Sequence, residues 1–376
     1  MHTRYIMQAE QGKRLLLISF TLLFTSCILT SSMQAQVQIL SDSSAIRIIR
    51  KGIDLTYNMQ FSEAQVTFSQ LEKLYPGHPV HLLIKGIMLY WENYPLRPSI
   101  PEGEEFERLL FQCIDGCERL KKDDPRADIL LTNISARGML LLYYTDNDMS
   151  RRVISIAPGT YHFLKRTFDY TSVSADFYAF TGLYKYYREK YPEIHPIYKP
   201  IAALFPHGNK EQGIKELEIS ATKSIFMRAD SYSFLTWIFN NFEKDYSKAT
   251  AYISTLSELY PKNFSFSITY MKNLLMSQRY DDAERLYNSF SEKVTNPFML
   301  GQILVLNGLI QERKYKNLKL ARDYYERGLT TLAGFGPVAR EFSGLGYMGL
   351  SRICEAEGDQ QGMRKNRRKA EEISGS

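Results

Sequence analysis

Apolar positions in this chain recur at intervals of three and four residues through most of its length, the spacing that gathers them on one face of an α-helix. Glu104 to Lys122 and Arg126 to Tyr144 predict two amphipathic helices, the second ending before Asp146-Asn147-Asp148. Pro158-Gly159 is read as opening the next helix, and Ile197 to Leu204 as one short helix between prolines. Neither strand-like alternation nor an Asn-Gly hairpin survives the scan, so the chain reads as all-α.

A longer periodicity is superimposed on this pattern. Gly52 recurs as Gly86, Tyr246 as Tyr280 and Ala249 as Ala283, each pair 34 positions apart. From Ala45 to Pro76 the unit shows its content: Gly52 in a first helix, Phe61 at a turn, then Ala64 and Phe68 in a second helix stopped by Pro76. A second copy runs through Tyr246, Ala249, Tyr252, Leu256 and Pro261, and a third through Tyr280, Ala283, Tyr287 and Pro297. A fourth carries Tyr315, Ala321, Tyr325 and Gly328, and the last passes through Leu350, Gly358-Asp359 and Ala370. Small residues on both helices let the backbones approach, and the aromatics fill the gap between neighbouring hairpins.

This pattern resembles the tetratricopeptide repeat, over Ala45 to Ile373 with gaps. The resemblance implies an α-solenoid of about seven to eight helical hairpins in a right-handed superhelix, with local contacts only and polar ends. Ser41-Asp42-Ser43-Ser44 is the expected N-cap of the first helix. The repeats divide at the less regular centre into an N-terminal set, 36–172, with a proline-rich insertion near 92–103, and a C-terminal set, 173–376, with another near 191–208.

In tetratricopeptide proteins the first helices line a concave groove, and the ligand-facing motif positions map here onto Ile53 and Tyr57, Ile87, Tyr90 and Trp91, Phe234, Ile238 and Phe242, Lys272 and Met276, and Leu309 and Arg313. The Lys and Asn combination that clamps a peptide carboxylate in some members is missing. Tyrosine is concentrated at Tyr178, Tyr184, Tyr186, Tyr187, Tyr191 and Tyr198, flat faces with polar tips that suit peptide or sugar contacts, or packing between helices. The expected ligand groove therefore includes Tyr57, Tyr90, Trp91, Tyr186, Phe234 and Phe242, either open or filled by the stretch Tyr191 to Gly208.

The N-terminus breaks the helical-repeat pattern. Lys13 and Arg14 precede an apolar run from Leu15 to Leu29, followed by Thr30, Ser31 and Ser32. This reads as a cleavable secretory signal over 1–35, cut between Ser32 and Gln36, because the run falls short of the roughly 18 residues that span a bilayer. A rival reading makes Phe24-Thr25-Ser26-Cys27 a lipobox, with Cys27 acylated and the protein attached to a membrane only in that case. The expected location is the periplasm of a Gram-negative cell, with an outer-membrane lipoprotein or a secreted protein as alternatives. Removing Arg4, Lys13, Arg14 and Glu10 takes away a net +2, so the formal +6 becomes +4. The one basic cluster, Arg364 to Lys369, suits the outer face of a terminal helix, and no nucleic-acid partner is expected.

Cys113, Cys117 and Cys354 are too few for a disulfide framework, and no further ligand flanks the Cys113/Cys117 pair to make a metal site. Motifs for a nucleophile elbow, a zinc protease, a phosphate loop and a dinucleotide fold are missing, and the histidines are scattered. The acidic groups Glu104 and Glu105 suit the positive end of a helix dipole. The sequence thus predicts a protein that is not an enzyme and has no catalytic residues, no metal and no cofactor. It is expected to be an interaction scaffold for a protein or peptide with apolar or aromatic contacts. The alternative is a glycan- or small-molecule-binding protein of an outer-membrane uptake system.

Overall fold

The structure, a computed structural model, describes residues 38–120 and 126–374. The apolar leader, its cleavage region and Cys27 lie outside the described residues. Among the described residues every regular element is helical. Eight consecutive helix pairs follow one another: α1 (Ser43–Tyr57) with α2 (Phe61–Leu74), α3 (Val80–Glu92) with α4 (Pro101–Arg119), α5 (Ala127–Asp146) with α6 (Ser150–Thr167), and α7 (Phe177–Ile194) with α8 (Lys210–Lys223). The series continues with α9 (Arg228–Asn241) and α10 (Tyr246–Leu259), α11 (Phe264–Met276) and α12 (Tyr280–Phe290), α13 (Pro297–Arg313) and α14 (Leu318–Leu332), and α15 (Arg340–Ala356) and α16 (Gln360–Ser374).

Local chemistry sets the helix ends. Asp42 caps α1 by accepting from the Ser44 backbone N–H at 2.8 Å, and Asn209, Asp245, Asn263, Asn296 and Asn317 cap later helices in the same way. The turns inside six of the pairs share a device that the 34-residue pattern does not reveal. Met59, Asp148, Lys244, Gln278, Lys316 and Gly358 all take positive φ just before the second helix, and five of the six are not glycine. That conformation sets a Cβ against the following carbonyl, so each turn is held by the packing of the helices it joins.

The repeat glycines work as close-approach points. A Cβ on Gly52 would overlap the Phe68 ring of α2, and the Tyr325 ring of α14 lies against Gly308 of α13 on one side and Gly349 of α15 on the other. One tyrosine thereby bolts two pairs together. First helices also stack on one another near each end: α1 on α3, α3 on α5, α11 on α13 and α13 on α15.

Several expectations are revised. Pro158 lies inside α6 and does not open a helix, because Met149 and Ser150 start the turn a full two turns earlier. The Ile197 to Leu204 helix is reduced to a 3-10 turn at Pro196–Tyr198 and one α-turn at Lys199–Ala202. Pro297 starts α13 from its first position, where its missing N–H costs nothing, rather than ending the preceding helix.

Contacts are not confined to neighbours in sequence. The Tyr260 hydroxyl donates to Asp54 at 2.8 Å, and the Asn263 side chain donates to the Tyr57 carbonyl at 3.0 Å, each pair 206 positions apart. Farther along, Asn296 donates to the Tyr94 carbonyl at 2.8 Å, and the Arg97 guanidinium lies over the Phe335 ring and donates to the Gly334 carbonyl. Arg340 pairs with Asp148. The ends of α1 and α3 therefore dock onto α10, α11 and α13, and the largest core cluster runs from Ile39 through Phe180 to Tyr260 and Phe266 without a break at residue 172.

Candidate functional site

The residues expected to form one ligand groove fall into two packed clusters. Tyr57 and Tyr90 are buried and Trp91 is half-buried. Trp91 stacks on Tyr94 at 5.4 Å and stands edge-on to Tyr57 at 5.3 Å and to Phe266 at 5.5 Å. The face that the tetratricopeptide rule points at solvent is thus covered by Tyr260 and Phe266, side chains from the other half of the chain. Tyr186 is buried, and it packs in a second cluster with half-buried Phe234 and Phe242 and with Tyr187. Tyr184 is likewise engaged, against Tyr161 and Phe168, with its hydroxyl on the Pro206 carbonyl. The Tyr191 to Gly208 stretch lies against α6 and α7 through these contacts rather than over α1 and α3.

Two carboxylates border the first aromatic cluster. Asp230, in the first turn of α9, accepts from the Tyr57 hydroxyl at 2.7 Å, and Asp146, at the end of α5, accepts from the Tyr90 hydroxyl at 3.3 Å. Desolvation among these rings outweighs the tyrosine bonds and pushes both carboxyls up to about 6. Neither was marked by the sequence pattern, since their apolar surroundings come from helices distant in sequence.

An open concavity of about 540 Å³ lies farther along the chain, where α11, α13 and α15 succeed one another. Leu275 and Met276 form one side, Val305, Leu306 and Leu309 the next, and Leu345 closes the far side over the Tyr325 ring. Gln278, Tyr280 and Lys316 rise at the rim from the two hairpin turns, with Arg313 and Arg352 at the same end. Of the expected groove positions, Met276, Leu309 and Arg313 face this space. Lys272 does not: it is buried and tied to Glu341 of α15.

The polar end is built around Glu312, which is 6% exposed. It accepts both Arg352 donors at 2.7 Å and the Tyr325 hydroxyl at 2.6 Å, and the Arg313 Nε lies at 3.1 Å. Burial alone would raise this carboxyl, but the Arg352 and Tyr325 hydrogen bonds more than offset that and hold it below the usual range. The local balance is three cations, Arg313, Lys316 and Arg352, against the single anion Glu312, a net +2 beside an apolar wall. Such a site suits an apolar side chain with a carboxylate next to it.

Among the described residues no group of three or more His, Cys, Asp and Glu side chains could hold a metal ion. Cys113 and Cys117 stack one turn apart in α4 and are buried, and the hydrogen bond with Cys113, together with burial, pushes the Cys117 thiol far above its ordinary value. No described helix is long and apolar enough to cross a membrane. No protein-family model matches the chain, and no curated protein matches it.

Proposed function

We propose that the chain is a non-catalytic, tetratricopeptide-like scaffold, exported to the periplasm of a Gram-negative cell, that holds a protein or peptide partner. The reading rests on the 34-residue repeat and basic-then-apolar leader in the sequence, and on one observation in particular: the cavity across α11, α13 and α15 is open and joins a wall of leucines to a net cationic end. A segment that offers one apolar or aromatic side chain and a carboxylate fits both parts. Apolar contact supplies most of the affinity, and the guanidinium and ammonium groups choose the register.

A photo-crosslinking side chain placed at Leu309 in the cavity, compared with one at Leu320 on the exposed side of α14, tests this in intact cells. The expected result is a discrete adduct from position 309 that position 320 does not give, weakened at least tenfold by R313E/K316E. Identical adducts from both positions, or an adduct indifferent to the charge reversal, would overturn the assignment.

A further inference from the structure

Away from the cavity, two stretches without a single acidic side chain meet on one side of the molecule. Ser150 to Phe168 carries Arg151, Arg152, Lys165 and Arg166, and Ile194 to Lys210 carries Lys199 and Lys210. They join where the Tyr161 ring of α6 stands edge-on to Phe205 at 4.8 Å. In α6, positions 151, 154, 158, 161 and 165 share one face by helical spacing. Along it Arg151, Ile154, Pro158 and Lys165 are exposed, with Ile154 at 71%, and only Ile156 and Thr167 of the whole helix are buried. In the stretch that Phe205 anchors on α6, Ile197 and Leu204 are each 81% exposed.

Charge chooses the occupant of this surface. Lys210 engages Glu193 at 2.7 Å, Arg152 lies 3.7 Å from Glu107, and Glu189 accepts from the Gly208 N–H at 2.8 Å, so Arg151, Lys165 and Lys199 leave the face cationic with protruding aliphatic tips. Cations and exposed aliphatic residues on one helix face are what an anionic bilayer surface accepts: the cations sit at headgroup level and the apolar groups enter the acyl boundary. We propose that this face docks on an anionic phospholipid surface, with Ile197 and Leu204 inserted and Arg151 and Lys165 lying on the headgroups. The docking is peripheral and separate from the cavity proposed to hold a partner.

Tryptophan reporters L204W and, as a control on α2, V66W in the full chain read this directly on vesicles containing brominated acyl chains. On vesicles of one part phosphatidylglycerol to three parts phosphatidylcholine, the added emission of L204W is expected to be quenched while that of V66W is not. R151E/K165E, with an unchanged thermal melt, is expected to weaken binding at least tenfold. Unquenched L204W on these vesicles overturns the proposal, including the case in which the chain attaches only through residues 1–37. Equal quenching on pure phosphatidylcholine, unaffected by R151E/K165E, removes the anionic lipid from it.

Discussion

The hydroxyl of Tyr57 donates to the carboxylate of Asp230 at 2.7 Å, across 173 positions of sequence. Tyr57 ends the first helix and Asp230 begins the ninth, so this bond, with Tyr260 on Asp54 and Asn263 on the Tyr57 carbonyl, draws the start of the chain onto its later helices. A strictly local stack of hairpins would leave the rings of Tyr57, Tyr90 and Trp91 in water. Here the chain covers them with itself.

The Asp230 carboxyl carries a desolvation penalty that pH reveals. Its folded value is raised from 3.8 to about 6, so the native state holds the proton more tightly than the unfolded chain, and the contribution of this group to stability falls as pH rises through that interval. D230N keeps an acceptor for Tyr57 and removes the charge. Urea unfolding at about pH 7.5 should find D230N more stable than the parent by about 1 kcal/mol, with the gain shrinking as pH falls below 6 and lost only below the unfolded value of 3.8. His81, whose pKa burial lowers, titrates in both proteins and cancels in the difference.

Gly52 admits the Phe68 ring. G52A should cost about 1–3 kcal/mol in chemical denaturation, because a methyl group there forces the ring out of place. F68L removes the ring atoms that would clash, so G52A/F68L should be more stable than the sum of the two single losses.

The buried Glu312 joins three elements by accepting from Arg352 of α15 and Tyr325 of α14 while standing on α13. E312Q leaves Arg352 without its partner and should cost about 3 kcal/mol, read as a lower unfolding midpoint. The carboxyl is lowered in the folded protein, so its contribution is present above the ordinary 4.5 and is lost as pH falls through the folded value. The difference between parent and E312Q should shrink on acidification.

Lys244 is an exposed residue with φ of 55°, between α9 and α10. K244G removes the Cβ from a left-handed position and should raise stability by about 0.5–1 kcal/mol, since the relief exceeds the added freedom of the unfolded chain. A lower midpoint for K244G would mean that the Lys244 side chain does more than occupy the turn.

The helical class, the pair boundaries near Phe61, Tyr246 and Tyr280 and the Asp42 cap were legible in the sequence, because each depends on residues within one hairpin, whereas Phe68 packs on Gly52 of its own hairpin and not in a gap between hairpins. Three- and four-residue spacing identifies the buried face of a helix whatever that face meets. What meets it is a separate matter. That Tyr57 packs on Tyr260 and Phe266, that Asp146 and Asp230 share an apolar setting, and that Met276, Leu309 and Arg313 line a cavity while Lys272 is tied to Glu341 all depend on how pairs distant in sequence meet. Residues within a hairpin determine that hairpin; only the tertiary structure decides which of its faces remains exposed, because that depends on contacts between helices 202 to 206 positions apart, which no local pattern encodes.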